Sequence, residues 1–184
     1  VDIGGGPKSA SCTSPTNNGA LGFGITYFSF GNIAFSSANS SEGYKDNSCT
    51  QGTNVKEGKN YTMSVTVDKP TTHNVRVWVD FNNDASFDTT TELLVSSDAV
   101  LNVNKEIYVP TGKTLNTPLR MRVSADWSGS AEPLPCSTLE YGQAEDYTIV
   151  ILPNTDPPAS AFSVSDSITC DGNVSFTDKS QNVP

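Results

Sequence analysis

The sequence predicts an all-β fold: an antiparallel β-sandwich, jelly-roll or immunoglobulin-like, with an incomplete second β domain at the C-terminus. Three observations carry this expectation. Apolar residues recur at every second position in several short segments, the period of a strand with one buried face. Clusters of Gly, Pro, Asn and Asp separate those segments, and their backbone preferences make turns. No segment sustains an apolar stripe at the helical spacing, so helix content is expected to be low.

Taken in order, the aromatic- and Ile-rich stretch 22–35 has room for one or two strands. In YTMSVTV, Tyr61, Met63, Val65 and Val67 share one face and Thr62, Ser64 and Thr66 the other. In NVRVWVDF, Val75, Val77, Val79 and Phe81 alternate with Arg76, Trp78 and Asp80. Trp78 therefore lies opposite the valines and is expected to cover a second layer of core. Two shorter candidates are ELLV (92–95) and EIYV (106–109). Leu119, Met121, Val123 and Ala125 then alternate with Arg120, Arg122, Ser124 and Asp126, and Tyr147, Ile149 and Ile151 with Thr148 and Val150. Six to nine strands are expected, each sheet having one wet face, which suits antiparallel pairing.

The domain boundary is expected after Leu152. The run PNTDPPAS has three prolines in eight residues and no apolar period, so 153–160 reads as a linker. Residues 161–184 carry two alternating patches, but so short a piece cannot bury a core. They read as the start of a second domain, after a module spanning 1–152.

Charged residues make up only 17% of the chain, which separates it from charge-rich disordered sequences. Twenty acidic against 11 basic residues give a net charge of −9. Phosphate-backbone binding needs clustered Lys and Arg, so no nucleic-acid partner is expected. No stretch approaches the length of apolar chain that a membrane span needs. The N-terminal Val-Asp-Ile-Gly-Gly-Gly lacks signal-peptide architecture, so an export signal is expected to have been removed or to lie outside this chain.

Four well-separated cysteines, Cys12, Cys49, Cys136 and Cys170, with no CxxC spacing and a single histidine, His73, argue against zinc and for disulfides in an oxidising compartment. Three pairings are open. One bridge among Cys12, Cys49 and Cys136 is favoured, because Cys170 lies in the other segment and is left for a partner beyond the chain end.

The most specific motif follows the NVRVWV strand. Oxygen-bearing side chains fall at alternate positions Asp80, Asn82, Asp84, Ser86 and Asp88, and Glu92 supplies a closing carboxylate. Calcium takes six to eight oxygen ligands, and loops of this spacing wrap the ion, so a structural calcium site is expected here. Ser86 would give its backbone carbonyl. Ala85 stands where such loops usually turn on a glycine, and Glu92 comes one residue late. The competing reading is an Asx-rich turn whose carboxylates cap their own backbone amides.

Taken together, VRVWVDFNNDASFDTTTELL, LRMRVSADW, Cys136 and YGQAEDYTIVIL resemble the GEVED domain over about residues 12–152. The Gly-Glu-Val-Glu-Asp signature is matched by Gly142, Gln143, Ala144, Glu145 and Asp146, followed by Tyr147, with Gln143 and Ala144 departing from it. The resemblance implies a module of secreted bacterial proteins, often placed beside catalytic, PKD-type or sorting domains. The tail AFSVSDSITCDGNVSFTDKS is similar to the opening strands of a PKD domain. Other domains of the same polypeptide are therefore expected partners.

Glu145 and Asp146 precede the last long strand, and Arg120 and Arg122 share a face of another. Arg–carboxylate pairs between the two strands are expected to be structural. His73 has no Ser or Cys nucleophile in a recognisable motif, and no paired-carboxylate cleft is legible, so no enzyme is expected. Trp127 and Tyr141, with Tyr44 and Asp126, are the candidate ligand-binding residues, since aromatic faces beside polar groups grip sugar rings. The expected function is a secreted or cell-surface monomeric accessory module that binds polysaccharide. The alternative is an adhesion module, spacer or binder of an extracellular protein.

Overall fold

The computed structural model describes residues 5–37, 42–68, 70–157, 159–165 and 173–180. Its strands are β1 (Ile25–Phe30), β2 (Ile33–Ser36), β3 (Tyr44–Asp46), β4 (Gly52–Lys56), β5 (Asn60–Val67), β6 (His73–Val79), β7 (Leu93–Val100), β8 (Asn102–Tyr108), β9 (Pro118–Trp127), β10 (Gln143–Leu152), β11 (Phe162–Val164) and β12 (Phe176–Asp178). The only helical turn among the described residues is a 3₁₀ turn at Gly19–Leu21. The all-β class read from the sequence is the class observed. The chain divides into two units, Val1–Leu152 and Pro153–Pro184.

In the first unit, one sheet has the order β2-β1-β5-β8 and the other β3-β10-β9-β6-β7, with β4 also on β10. The alternating apolar residues face one another between the sheets. Phe28, Met63, Val65, Val75, Val77, Met121, Val123, Tyr147 and Ile149 belong to one buried cluster. Gln143 ties the sheets directly, its Oε1 accepting the Ile25 amide at 3.0 Å.

Two features correct the sequence expectation. The described part of the first unit has ten strands rather than six to nine, because β3 and β4 are short and polar and carry no apolar alternation. They pair with β10 in parallel, one after the other, along a single edge, so the larger sheet is mixed. The intervening turn keeps the edge continuous: the Asn47 amide donates to Asp146 O at 2.8 Å and the Thr148 amide to Gln51 O at 3.0 Å. A parallel pair needs a long crossover, and nearly a hundred residues separate these strands.

The outer face of the larger sheet is also covered. On β6 every residue is buried, and Trp78 packs on the side opposite the valines, as its place in the alternation requires. The cover comes from the segment 5–21, the acidic loop after β6 and the 128–142 segment. The second unit contributes an antiparallel pair, β11 with β12, whose Phe162 and Phe176 rings lie 5.7 Å apart.

Candidate functional site

Strand β10 carries two different chemistries on its two faces. Towards the core, Glu145 is fully buried among polar groups. One of its oxygens accepts from the Ser37 hydroxyl and from Gln143 Nε2, the other from the Tyr147 hydroxyl. Burial pushes its carboxyl above the usual range, and burial together with the Glu145 charge pushes the Tyr147 phenol up.

On the outer face Asp146 is equally buried and meets two arginines. Arg122 Nε donates to Oδ1 at 2.7 Å and Nη2 to Oδ2 at 2.8 Å; Arg120 Nη1 adds a bond at 3.0 Å and the Tyr44 hydroxyl one at 2.8 Å. Arg122 lies between aromatic rings, 5.2 Å from the Tyr44 centroid and 4.9 Å from that of Phe87. Its remaining donors go to Pro135 O and Cys12 O at 2.6 and 3.0 Å. Of the two carboxylates paired with these arginines in the sequence reading, only Asp146 is so used, because strand alternation sends Glu145 to the other side.

The residue before the strand is also fixed by space. A Cβ on Gly142 would lie 1.8 Å from the Ala125 carbonyl oxygen, so only glycine allows β10 to close on β9 there. Bare backbone at 142, a hydrogen-bonded carboxylate inward at 145 and an arginine-locked carboxylate outward at 146 account for three of the five signature positions. Residues 74–150 match the GEVED domain family. The GEVED-matching region begins in β6, includes the acidic loop and ends within β10. No curated protein and no solved structure matches the chain.

The acidic loop of the GEVED-matching region, residues 80–92, is held by its own carboxylates. Asp80 accepts the amides of Asp84 and Ala85 at 3.0 and 2.9 Å, and Asp84 accepts that of Ser86 at 2.8 Å. Asp88 accepts those of Thr90 and Thr91, and Glu92 those of Asn82 and Asp88. Asn82 shares in the turn by accepting the Asp84 amide at 2.9 Å. Burial and the Asp80 charge push the Glu92 carboxyl up. Asn83 and Ala85 adopt left-handed backbone, with φ of 57° and 75°. The side-chain donors are all oxygen, the chemistry a hard cation takes, and each carboxylate retains lone pairs beyond those used. Among the described residues no group of three or more His, Cys, Asp and Glu side chains converges as metal ligands do. What holds the loop in this structure is Asx-turn bonding.

The ligand-binding candidates separate into two places. Trp127, at the end of β9, is 39% exposed, and its ring stands edge-on to Tyr141 at 5.9 Å. Both line a cleft of about 420 Å³ with Leu134, Glu132, Ser137 and Glu140. Gly129 lies against the indole, since a Cβ there would meet the ring at 2.5 Å. Asp126 lies at the base of this cleft, but its carboxylate is taken by three amides, those of Trp127, Glu140 and Tyr141 at 2.8, 2.7 and 3.0 Å. It ties the two walls together. Tyr44 is elsewhere, on the Arg122–Asp146 pair. The sequence reading did not include Leu134 and Glu132, which lie in a loop without periodicity.

A disulfide joins Cys12 to Cys136, with Cα atoms 5.6 Å apart. Cys49 is a free, exposed thiol, and Cys170 lies outside the described residues. His73 is buried beside Phe23, from which a run of ring contacts passes through Tyr141 to Trp127. Its Nδ1 is 2.8 Å from Thr71 O, so that nitrogen carries the proton. Among the described residues no helix is long and apolar enough to cross a membrane.

Proposed function

We propose that this chain is a non-catalytic accessory module of an extracellular protein and binds polysaccharide in the cleft beside Trp127. The observation that carries the reading is the Trp127–Tyr141 pair. Two large rings, one with a partly exposed face, border a cleft whose other walls carry hydroxyls and the carboxylates of Glu132, paired with Arg76, and of Glu140, held by Asn17 and Asn18. Sugars are bound by such a combination, the apolar ring face against an aromatic and hydroxyls against polar groups. The GEVED similarity and the disulfide support an accessory, extracellular setting. Partner domains on the same polypeptide, among them the PKD-like segment 161–184, belong to the same reading, as does a monomeric state.

The acidic loop is the second part of the proposal. Asp80, Asn82, Asp84, Ser86, Asp88 and Glu92 would hold a structural calcium ion after the exposed Asp84 and Asp88 side chains turn inward. The ion would stiffen the loop from which Phe87 reaches Arg122.

Native affinity electrophoresis against a panel of soluble polysaccharides, with calcium and with chelator, tests both parts. Retardation on a neutral glycan that Trp127→Ala abolishes supports the cleft reading. No retardation on any glycan overturns it and leaves the spacer or protein-binding module, a reading favoured by Leu134, 54% exposed beside the cleft.

A further inference from the structure

The cleft is lined by residues between Asp126 and Tyr141, and this wall is backed by a segment distant in sequence. Residues 11–18 run beside residues 128–141 and are stitched to them. Leu139 donates to Pro15 O at 2.8 Å, while the amides of Asn17 and Asn18 donate to Leu139 O and Glu140 O at 2.9 Å each. The Asn17 and Asn18 side chains hold the Glu140 carboxylate at 2.9 and 2.8 Å. At the far end of the wall the Cys12–Cys136 disulfide joins the same two segments. Next to it, Pro135 O accepts from Arg122 and from the Ser14 hydroxyl at 2.6 and 2.7 Å.

None of this wall contributes to the core. The buried cluster between the sheets runs from Ile25 to Ile151 and takes no residue from 5–24 or from 126–146. Leu139 is buried, yet it stands outside that cluster. The sandwich therefore has its own cohesion, and the buried apolar residues of the wall are Pro133, Pro135 and Leu139. A segment held mainly by hydrogen bonds, with so few buried apolar residues, opens locally at lower cost than a core strand.

We infer that the Cys12–Cys136 disulfide is a redox latch on the cleft. A small dithiol breaks the S–S bond by thiolate attack and ring closure. Two electrons pass to the cysteines, which leave as two thiols, and the dithiol becomes its own cyclic disulfide. Cys136 is exposed, which gives the attacking thiolate access. Once the bond is open, residues 11–18 and 128–141 are held together only by the hydrogen bonds between them and by the Arg122 bonds to Cys12 O and Pro135 O, so they part more often and the cleft wall loosens. The Arg122–Asp146 pair stays together, held by bonds the disulfide does not make. The inference shares the cleft with the proposed function, but its structural claim stands without any ligand.

Amide hydrogen exchange on the full chain, oxidised and in dithiothreitol, tests it. The amides of Asn17, Asn18 and Leu139 are expected to exchange at least about ten-fold faster after reduction, while those within β5, β6 and β9 keep their protection. The double variant Cys12→Ser/Cys136→Ser is expected to match the reduced protein without reductant. Unchanged exchange in residues 11–18 and 139 overturns the latch, and so does loss of protection across β5 and β6. Retardation on a polysaccharide in the oxidised but not the reduced state links latch to binding. Faster exchange in a protein that no glycan retards keeps the latch and removes the carbohydrate reading.

Discussion

Arg122 and Asp146 meet through two parallel hydrogen bonds of 2.7 and 2.8 Å, with neither side chain exposed to solvent. The pair links β9 to β10 on the outer face of the larger sheet, under Cys12, Tyr44, Phe87 and Pro135. Removing Arg122 leaves the buried carboxylate to Arg120 and Tyr44 on Oδ2 and takes the Nε bond from Oδ1, a loss worth about 3–5 kcal/mol. Arg122→Met is therefore expected to lower stability by that amount in urea unfolding. Adding Asp146→Asn is expected to recover a large part of it. Equal stability of the single and double variants would show the two side chains to be uncoupled.

Gly142→Ala places a methyl group on the Ala125 carbonyl oxygen. The carbonyl belongs to the paired backbone of β9 and Gly142 leads directly into β10, so neither can yield without disturbing the ladder. Overpacking costs about 1–3 kcal/mol in ordinary cores, and this contact is expected to reach or exceed the top of that range. The thermal midpoint of the variant, compared with that of Gly129→Ala, whose contact is only a ring edge of the part-exposed Trp127, checks it.

Ala85→Gly is expected to stabilise. The left-handed backbone costs an alanine about 1–2 kcal/mol, whereas glycine costs the folded state about 0.4–1 kcal/mol through the unfolded chain. The net gain is therefore about 1 kcal/mol, readable as a higher denaturant midpoint with an unchanged slope.

Calcium is expected to raise the thermal midpoint and a chelator to lower it. An ion that binds only the folded chain adds about 2.7 kcal/mol at a hundredfold excess over its dissociation constant. Asp84→Asn/Asp88→Asn is expected to abolish the response while leaving the chelated midpoint nearly in place, since Asn keeps an oxygen to accept the Ser86, Thr90 and Thr91 amides. Identical melting in calcium and chelator would leave Asx turns as the whole account of the loop.

Burial pulls the His73 imidazole below its ordinary range, against the opposing effect of the Thr71 carbonyl and of the Asp126 and Asp68 carboxylates. The unfolded chain then binds the proton more readily. His73 stabilises fully above about pH 6.5, and its contribution falls as pH drops below that value. Glu145 works the other way: burial raises its carboxyl, so its contribution falls as pH rises above about 4.5. The measurement is thus a difference. Between pH 5 and 6.5, wild type is expected to lose stability on acidification relative to His73→Asn. Parallel curves would assign the histidine no part in the pH response.

Much of the sandwich was legible because its strands are long and one-sided. Val75, Val77 and Val79 announce a buried face, and Trp78 between them announces cover on the other side. The edge strands β3 and β4 were illegible, since YKD and GTNVK carry no apolar period and depend on β10 for pairing. The outward and inward destinations of Asp146 and Glu145 follow from alternation alone. Nothing in the sequence indicated that Tyr44 belongs to Arg122 and Asp146, or that Asp126 spends its carboxylate on backbone amides. Both are contacts between segments whose distance along the chain exceeds any local pattern.

The covalent bond between Cys12 and Cys136 also sets how the module carries load. The two cysteines are 124 residues apart, and strands β1 to β9 lie inside the closed loop. Tension applied at the two ends of the first unit passes from Cys12 through the sulfur bridge to Cys136, and then along β10. The enclosed strands cannot be drawn out. β10 alone is pulled, lengthwise, against β9 on one side and β3 and β4 on the other, so its hydrogen bonds must slide in shear together rather than unzip in turn.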